Sequence, residues 1–508
     1  MLERSALRRP DADAVVDGTT RLSYGDLHRH AHTLGAALTS LGVARGDRVL
    51  IALKNRVEHV LAYWALQTIG GVPVPVNHRL PAAELGYVLD DSGARLVLFE
   101  RATADAVLEA SRRAPGRLVY VDDSPPREAI PFAGLLAGAT PAPAPPPAED
   151  DLSLILYTSG TTGRPKGVPR THRNHAAGAL AHVVQCGYEW GERTLGIMPL
   201  YHTMGIHALT SMAAVNGAFV CQPAFSAAGA LALIAGERVT ALYLIPTLFY
   251  DLVHAPELAR TDVTSVRKLG YAGAPMLAPL TEACVKAFQP RVFVNHYGST
   301  EIYTFSVRPD VHLKPGCAGR PGIHSTLRVV TAASDRRVGP DEVVPAGDNG
   351  EIIARLDSDE AFAGYWNRPD ADARALRDGW YFTGDMGYLD VDGELYVSGR
   401  VDDMIISGGE NIHPVQVEEV LARHPDVRDV AVVGEPDARW GERVVAFIVS
   451  GSAELSAEAI DRYCRESTGL ASFKRPRRVV FVETIPKTAS GKILRRLLRE
   501  GHYTEIRP

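Results

Sequence analysis

Twelve consecutive residues, from Tyr157 to Val168, bring together glycines, hydroxyl side chains and a lysine in an order suited to binding phosphate. They follow an apolar run, Leu152 to Leu156, which predicts a short buried strand leading into a loop. Glycines let backbone N–H groups approach an anion, hydroxyl groups add donors, and the Lys166 ammonium adds positive charge. The GxxxxGKS/T spacing of the P-loop is absent, and a plain surface turn accounts less well for so many residues in this order. The stretch therefore predicts a nucleotide phosphate site.

This loop resembles the signature of the adenylate-forming enzymes, the superfamily of acyl-CoA and aryl-CoA synthetases, amino-acid adenylation domains and beetle luciferases. The resemblance extends over essentially the whole chain, and it is greatest to aryl-CoA ligases of the benzoate and halobenzoate type. It implies that the loop binds ATP through Thr158, Ser159, Gly160, Thr161, Thr162, Gly163 and Lys166.

A second polar segment begins at His296 and follows a strand predicted at Arg291 to Asn295. Its carboxylate comes after two hydroxyl residues, which suits Mg²⁺ shared with phosphates because hard cations prefer oxygen ligands. The resemblance implies a stacking residue for adenine, Tyr297, an α-phosphate contact, Thr300, and a Mg²⁺ ligand, Glu301, which acts with Thr158. It completes the ATP-binding set with His296, Gly298 and Ser299, and with the pocket-wall residues Gly273, Ala274 and Pro275.

Further motifs towards the end of the chain supply single charged residues. By resemblance, Asp385 binds the ribose hydroxyl groups, a task that suits a carboxylate acceptor. Arg400 contacts ribose and phosphate, and Asp402 is the hinge on which a small C-terminal domain turns. Lys492 belongs to the closing motif and is the catalytic lysine. The implied catalytic set is Lys492, His202, Thr300 and Glu301.

The acid pocket is the least specified site. His202 is predicted at a strand end and alone is more typical of a structural histidine, but the resemblance places it beside the substrate carboxylate as a positioning group. The absence of an acidic residue from the pocket favours a neutral, largely apolar tail, aromatic or bulky alicyclic. The small residues Ala177, Gly178, Ala179 and Ala181 predict room for an acid bulkier than benzoate. The implied pocket contains Ala181, His202, Thr203, Met204, Phe249, Ile302 and Tyr303.

The end of the chain, from Phe473 to Arg499, is strongly basic. A phosphate-rich small molecule explains this charge better than nucleic acid does, given the resemblance. Five residues match positions that line the coenzyme A passage of aryl-CoA ligases: Gly408, Gly409, Trp440, Phe473 and Arg475.

Strand-like and helix-like patterns alternate from the start, with strands at Arg48 to Leu53 and Val72 to Val76 around a helix at Val57 to Ile69. This βαβ order predicts an α/β fold with parallel-type sheets and flanking helices. A chain of 508 residues also needs more than one core. With the resemblance, we expect a large acid- and ATP-binding domain over residues 1–401 and a small, mobile α+β domain over residues 402–508, joined by the hinge.

The bulk composition argues against several classes. A net charge of -6 gives no reason to expect nucleic acid or an anionic membrane as a partner. The five cysteines are scattered, so neither a disulfide framework nor a zinc site is indicated. No signal-peptide core, spanning segment or peroxisomal tripeptide is present, which makes a cytoplasmic protein the expectation and leaves its oligomeric state open.

The implied reaction is the ATP-dependent, AMP-forming ligation of a carboxylic acid to coenzyme A, through an acyl-adenylate and with Mg²⁺. A fatty-acyl-CoA synthetase and an acid–AMP ligase that loads a carrier protein stay open as alternatives. A peptide-synthetase adenylation domain fits less well because no carrier domain follows, and nothing distinguishes a luciferase-like oxygenase. A non-catalytic nucleotide sensor is expected to lack Lys492 or Glu301, and both are present.

Overall fold

The structure is a computed structural model that describes residues 1–112, 116–138, 146–158, 164–333, 336–408, 410–467, 470–488 and 491–506. Of the predicted site residues, Ser159, Gly160, Thr161, Thr162, Gly163 and Gly409 lie outside the described residues. The strands are β1 (Asp13–Asp17), β2 (Thr20–Ser23), β3 (Arg48–Ala52), β4 (Val72–Pro75), β5 (Leu96–Phe99), β6 (Arg117–Tyr120), β7 (Ile130–Pro131), β8 (Leu152–Thr158), β9 (Lys166–Thr171), β10 (Arg193–Gly196), β11 (Ala218–Cys221), β12 (Ala241–Leu244), β13 (Lys268–Tyr271), β14 (Val292–Tyr297), β15 (Ser306–Arg308), β16 (Cys317–Pro321), β17 (Leu327–Val330), β18 (Gly350–Arg355), β19 (Leu376–Arg377), β20 (Trp380–Leu389), β21 (Leu395–Arg400), β22 (Ile405–Ser407), β23 (Glu410–Ile412), β24 (Val427–Asp437), β25 (Gly441–Ser450) and β26 (Arg478–Phe481).

The helices carry the local signals that start and stop them. Thr171 Oγ1 accepts a hydrogen bond from the Asn174 backbone N–H, and Asn174 Oδ1 accepts one from the Thr171 backbone N–H, which forms a capping box at the start of α7. Gly70, at φ +69°, ends α3 in the left-handed conformation that glycine adopts without strain. The helices are α1 (Leu2–Arg8), α2 (Tyr24–Ser40), α3 (Val57–Ile69), α4 (Ala82–Ser92), α5 (Ala104–Ser111), α6 (Phe132–Gly138), α7 (His172–Gln185), α8 (Thr203–Ala214), α9 (Ala227–Gly236), α10 (Pro246–Val253), α11 (Ala278–Phe288), α12 (Pro369–Ala375), α13 (Pro414–Leu421), α14 (Ala457–Glu466) and α15 (Arg495–Arg499).

The largest sheet has the order β17-β18-β20-β21-β16-β15-β14-β13-β12-β10-β11-β1-β2, with β19 paired to β20. In the part of this order that runs β14-β13-β12-β10-β11-β1, every pair of neighbouring strands is parallel. Helices α8 to α11 connect the strands from β10 to β14 along the chain. Every residue of β11, β12 and β13 is buried, as expected of strands covered by helices on both faces. The predicted α/β fold is therefore confirmed.

The other half of this sheet differs from the expected parallel-type arrangement. Strands β14 to β18, β20 and β21 pair antiparallel. Parallel neighbours need a crossover, usually a helix, whereas most of these strands are joined by loops that return the chain beside the strand just completed. The sheet is consequently mixed.

Two smaller units complete the region before residue 401. The all-parallel sheet β4-β3-β5-β6-β7 packs one face on α4 and α5, through a core that includes Leu50, Val88 and Val107. Strands β8 and β9 form a separate antiparallel hairpin, and Ile155 of β8 joins the same core. This packing fixes the hairpin that carries the glycine-rich loop.

A third sheet, β23-β22-β25-β24 with β26 parallel to β25, contains residues 405–481. Helices α13 and α14 contribute Val417 and Ile460 to the core on one face, and α15 contributes Leu498 to the core on the other. We call residues 405–506 the C-terminal unit. Residues 401–404 link it to β21 of the largest sheet, although the predicted domain boundary at residue 402 stays a prediction. Within the described residues, no helix combines the length and the apolar character that crossing a membrane requires.

Candidate active site

Two predicted segments leave the largest sheet at the same edge. Strands β13 and β14 are parallel neighbours, with Tyr271 opposite Asn295, so residues 273–275 and 297–301 follow the ends of adjacent strands. Gly273, at φ +85°, turns the chain immediately after β13. In open α/β sheets, ligands bind outside the carboxyl ends of the strands. The edge therefore meets the general requirement for a ligand site.

The ends of the glycine-rich loop are held by the β8–β9 hairpin. Thr158 and Lys166 are directly paired residues in this ladder. The Lys166 ammonium lies 4.0 Å from the centre of the Tyr365 ring, a cation–π contact. Burial lowers the pKa of Lys166, and the nearby Glu301 carboxylate opposes that shift. The lysine thus stands between an aromatic face and a carboxylate, and its charge is directed into the site.

Glu301 is buried and held in place from two directions. The Tyr365 hydroxyl donates to Glu301 Oε1 at 2.6 Å, while Arg170 Nη1 donates to the carbonyl oxygens of Thr300 and Glu301 at 2.9 and 3.0 Å. The Thr203 hydroxyl, at the start of α8, donates to Thr300 Oγ1 at 3.3 Å. These bonds join β9, α8 and the segment after β14 around one carboxylate.

The tight turn before Glu301 explains the residue types found there. A Cβ on Gly298 would lie 1.8 Å from the Tyr303 carbonyl oxygen, so only glycine fits. Ser299 Oγ accepts a bond from the Glu301 backbone N–H at 3.2 Å. His296, predicted among the ATP-binding residues, directs both ring nitrogens to core hydroxyl groups, those of Tyr243 and Thr304. Its side chain therefore belongs to the interior.

Asp385 sits at the centre of a second polar group. The Tyr297 hydroxyl donates to Asp385 Oδ2 at 2.7 Å, and Arg400 Nη1 donates to Oδ1 at 2.6 Å. Strands β20 and β21 set this pair because Asp385 and Arg400 are opposite each other in the ladder. Burial would lower the pKa of Arg400, but the Asp385 carboxylate outweighs it and raises that pKa. The predicted ribose and adenine residues are thus brought together.

Lys492 reaches this group from the C-terminal unit. A Cβ on Gly491 would lie 2.8 Å from Ile245 Cδ1, which shows how closely this turn approaches α10. Burial lowers the pKa of Lys492, Arg400 lowers it further, and Asp385 opposes both. Lys492 is nevertheless exposed, so solvent screens these interactions. The structure therefore places Lys492 beside the Asp385–Arg400 pair.

The predicted hinge lies in the short link between β21 and β22. Asp402 occupies a single turn of 3₁₀ helix, Val401–Asp403, and is exposed. Its neighbour Asp403 forms ion pairs with Arg495 at 3.4 Å and Arg499 at 3.6 Å, both on α15. Among the described residues, the Asp402 carboxylate has no hydrogen-bond or ion-pair partner. Asp403 is thus attached to α15 through its side chain, whereas Asp402 contacts α15 through its backbone carbonyl oxygen, which accepts a 3.4 Å bond from Arg499 Nη1.

His202 differs from its prediction in one respect. It does not end a strand: β10 stops at Gly196, and His202 is the N-cap of α8, where Nδ1 accepts a bond from the Met204 backbone at 3.3 Å. The misplacement arose because a Pro-Leu-Tyr turn separates strand and helix. Burial lowers the pKa of His202 to about 4. A neutral imidazole at pH 7 suits the predicted positioning role.

The remaining predicted pocket residues occupy different environments. Phe249 is fully buried in the core beneath the sheet, 6.2 Å from the Phe293 ring centre. Ile302 packs against Val168 in another core. Their place in the acid pocket stays a prediction. Ala181, Met204 and Tyr303 are also buried.

The small residues of α7 do not all leave free space. A Cβ on Gly178 would lie 2.4 Å from Cε1 of His207 on α8, so an imidazole already fills the volume beside this glycine. The expectation of extra room at this position is therefore wrong, because small residues on one helix allow close packing of a large one on its neighbour.

Four of the five predicted coenzyme A residues are described, and two of them touch. The Gly408 N–H donates to the Trp440 carbonyl oxygen at 2.7 Å. The guanidinium groups of Arg439 and Arg477 lie 4.8 and 5.9 Å from the Trp440 ring centre. Trp440 and Phe473 are 39% and 40% exposed, and Arg475 pairs with Asp461 at 2.8 Å. The exposed Trp440 ring with Gly408, Arg439 and Arg477 forms one patch, which we call the Trp440 surface.

The donor set at Glu301 fits a Mg²⁺ ion. Glu301 Oε1 accepts the Tyr365 bond, whereas Oε2 has no hydrogen-bond partner among the described residues. The Thr158 hydroxyl makes only a long 3.4 Å bond, to the Lys166 carbonyl oxygen. Carboxylate and hydroxyl oxygens are ligands that hard cations accept. These two residues would hold the ion.

Three residues near the site were not predicted: Arg170, His207 and Tyr365. Tyr365 lies in a Gly-Tyr-Trp-Asn segment whose aromatic residues could have marked it. Arg170 follows the glycine-rich loop closely, and a basic residue directly after the apolar Val168 and Pro169 is a usable signal. His207 gives no local signal, because its role depends on how α7 and α8 pack.

Comparison with known proteins agrees with this geometry. Residues 2–366 match the AMP-binding enzyme family, and residues 416–492 match the AMP-binding enzyme C-terminal domain. The chain is 35% identical to the 4-chlorobenzoate–CoA ligase of Arthrobacter sp. over 98% of this chain and 93% of that protein. It is 34% identical to a long-chain-fatty-acid–CoA ligase of Mycobacterium tuberculosis over 100% and 98%. Among solved structures, an anthranilate CoA ligase in complex with anthranoyl-AMP superposes with a TM-score of 0.91 at 28% identity, covering 98% of this chain and 96% of that one.

Proposed function

Because the chain belongs to the family of AMP-binding enzymes and is an AMP-forming acid–CoA ligase, we propose that Lys492, Arg400 and Asp385 form its adenylation site. One observation supports the assignment of residues: Lys492 of the C-terminal unit interacts electrostatically with the hydrogen-bonded Asp385–Arg400 pair of the largest sheet. The acid lies beside His202 and Thr300, close to the start of α8.

In the first half-reaction, a carboxylate oxygen of the acid attacks the α-phosphorus of ATP. A new P–O bond forms, the bond from the α-phosphorus to its bridging oxygen breaks, and pyrophosphate leaves with that electron pair. Negative charge is spread over phosphate oxygens throughout, so catalysis rests on fixed positive charge and donors. Lys492, Lys166 and the Thr300 hydroxyl supply them, while Asp385 accepts hydrogen bonds from the ribose.

The proposal includes Mg²⁺ bound to Glu301 and Thr158, which would neutralise charge on the phosphate oxygens. The unpartnered Glu301 Oε2 supports this assignment. Tyr365 and Arg170 hold the carboxylate and its backbone in place, so the ligand is oriented before nucleotide binds.

In the second half-reaction, the coenzyme A thiol attacks the acyl carbon, and AMP leaves. Lys492 cannot remain at the reacting centre while a thiol enters there. We assign the change of state to the link around Asp402, which would rotate the C-terminal unit and bring the Trp440 surface to the site. The exposed Trp440 ring and the two arginines beside it support binding of a nucleotide with several phosphates.

The acid is proposed to be aromatic. Fatty-acid and aromatic ligases are about equally similar in sequence, so identity does not decide between them. The aromatic assignment rests on the packing near Tyr303, where His207 closes the space beside Gly178 and leaves less length for an alkyl chain.

The five cysteines are all unpaired, which supports a reducing, cytoplasmic environment.

The test is pyrophosphate release from the purified protein with ATP, Mg²⁺ and a panel of aromatic, alicyclic and fatty acids, followed by product analysis with coenzyme A. We expect release with aromatic acids and formation of their CoA thioesters. Fatty acids as the best substrates would contradict the aromatic assignment.

A carrier protein is the alternative acceptor, and a phosphopantetheinylated carrier in place of coenzyme A tests it. Faster acyl transfer to the carrier than to coenzyme A would identify an acid–AMP ligase.

Lys487→Ala provides a matched control for loss of Lys492, because Lys487 lies in the same motif and pairs with Asp429 at 2.6 Å.

A further inference from the structure

Six histidine and tyrosine side chains pack together in the interior between α7, α8 and the segment after β14. Each is buried, and neighbouring rings lie 3.5 to 6.1 Å apart, centre to centre. Tyr303, a predicted pocket residue, belongs to this group. We call it the histidine–tyrosine cluster: His175, His182, His207, His296, Tyr243 and Tyr303.

Hydrogen bonds account for three of the four imidazoles. His182 is bonded through Nδ1 to the Tyr303 hydroxyl at 2.9 Å and through Nε2 to Tyr188 at 3.3 Å. His296 binds two hydroxyl groups, as described above. His175 Nδ1 is 3.0 Å from Ser153 Oγ. Buried polar groups are normally paired in this way.

His207 is the exception. Its Nδ1 is buried without a partner, and neither ring nitrogen has a hydrogen bond among the described residues. The residue is 2% exposed, and its ring stacks on Tyr303 with centres 3.5 Å apart and planes at 18°. Gly178 on α7 is required for this position. A well-fixed imidazole with an unused nitrogen is the arrangement expected of a group that pairs with a ligand.

The position of His207 indicates which end of a ligand it would meet. Thr203 and His207 are four residues apart on α8, so they share a face and are separated by about 6 Å along the axis. Thr203 is bonded to Thr300, where the proposed function places the acid carboxylate. One helical turn from there to His207 matches the span of a benzoate from its carboxylate to its para substituent.

We propose that His207 recognises a neutral hydrogen-bonding group, such as a hydroxyl or an amino group, at the far end of an aromatic acid. The inference rests on the proposed function and deepens it by naming the substituent. A neutral imidazole offers one donor and one acceptor, so it can pair with either group. Burial, followed by the influence of His175, lowers the pKa of His207, which keeps the ring uncharged and makes it a poor partner for a second carboxylate.

The experiment compares 4-hydroxybenzoate with 4-methylbenzoate, which is close in size and lacks the polar group, in coupled pyrophosphate and CoA-thioester assays. For the natural protein we expect kcat/KM to favour the hydroxy acid by about tenfold or more, because a site built for a hydrogen bond rejects an analogue without it. In His207→Phe, which keeps a planar ring for stacking, that ratio is expected to fall to near one. His207→Gln retains a donor and an acceptor and should recover part of the preference.

The controls separate recognition from folding. His175→Phe alters another imidazole of the cluster and should leave the ratio of the two acids unchanged, whatever it does to stability in thermal melts. An unaltered ratio in His207→Phe, or no preference in the natural protein, would overturn the proposal. If His207→Phe does not fold, the proposal is tested by the ratio of kcat/KM for the two acids in the natural protein and in His207→Gln. Absence of turnover with every acid would instead refute the proposed function and this inference with it.

Discussion

The C-terminal unit contains two positively charged regions whose surroundings differ. At Lys492, a single exposed ammonium interacts with a carboxylate and a guanidinium of the largest sheet. At the Trp440 surface, an exposed aromatic ring lies beside two arginines. A fixed point charge suits one developing charge, whereas stacked rings and spread cations suit an extended nucleotide. The difference agrees with the proposal that Lys492 acts in adenylation and the Trp440 surface in binding coenzyme A.

Removing the point charge is expected to have the largest effect. Lys492→Ala should slow acyl-adenylate formation by about 10² to 10³, the typical loss when one preorganised donor is removed. Thioester formation from synthetic acyl-adenylate should be spared. The measurement is a pair of single-turnover assays, with Lys487→Ala as the control expected to stay close to the natural rate. Equal losses of rate in both half-reactions would mean that Lys492 does not act in adenylation alone, and the two regions would not differ in function as proposed.

Locking the link between the regions should affect the other step. Asp402→Pro fixes φ near -65° and removes a rotation that the proposed domain movement would require. We expect acyl-adenylate to form and remain bound, with its transfer to coenzyme A strongly slowed, because mutations at hinge residues alter turnover without touching the reacting atoms. Asp402→Ala, which leaves φ free, is the matched control. Natural rates for both steps in the proline variant would mean that rotation at this residue is unnecessary.

Truncating the exposed ring is expected to have a smaller effect. Trp440→Ala should raise the KM for coenzyme A by about tenfold, since stacking of a base on an aromatic ring is worth roughly 1–3 kcal/mol. The KM values for ATP and the acid should hardly change, and Trp440→Phe should lose less. Steady-state kinetics with each substrate varied in turn tests this. A parallel rise in the KM for ATP would assign the ring to the nucleotide site instead.

The smallest effect concerns pH. Because the pKa of Lys492 is lowered, its cationic form, which the proposed adenylation step uses, is lost at a lower pH than that of an ordinary lysine. Single-turnover pyrophosphate release should therefore decline on the alkaline side. In Lys492→Arg, whose guanidinium does not titrate in this range, that decline should disappear, even if the rate is lower. An identical alkaline limb in both proteins would point to another group.

Local patterns predicted the first part of the fold well. The helix expected at Val57 to Ile69 has those bounds, because an apolar run stops at a glycine that ends it. The charged pair Asp385 and Arg400 was identified by resemblance, and strand register brings the two together. The antiparallel half of the largest sheet was missed because its short strands leave no periodic pattern that reveals their partners.

The residues that the sequence did not reveal depend on contacts between distant segments. Arg170 and Thr300 are 130 positions apart, and nothing local indicates that a guanidinium in β9 binds that carbonyl. His207 was overlooked because small residues on α7 suggested an opening, whereas the structure fills it with a ring from α8. At both residues, tertiary packing and not local sequence propensity determines what the side chain contacts.

The buried arginine of β9 has a consequence for how the site is prepared. Lys166 begins this strand and Arg170 lies four residues later, so one hydrogen-bonded ladder joins the Lys166 ammonium to the backbone of Thr300 and Glu301. The separation between groups from two segments far apart in sequence is therefore set by the fold. Aligning these groups costs conformational entropy, and the chain loses that entropy when it folds. The free energy of substrate binding therefore does not include this cost.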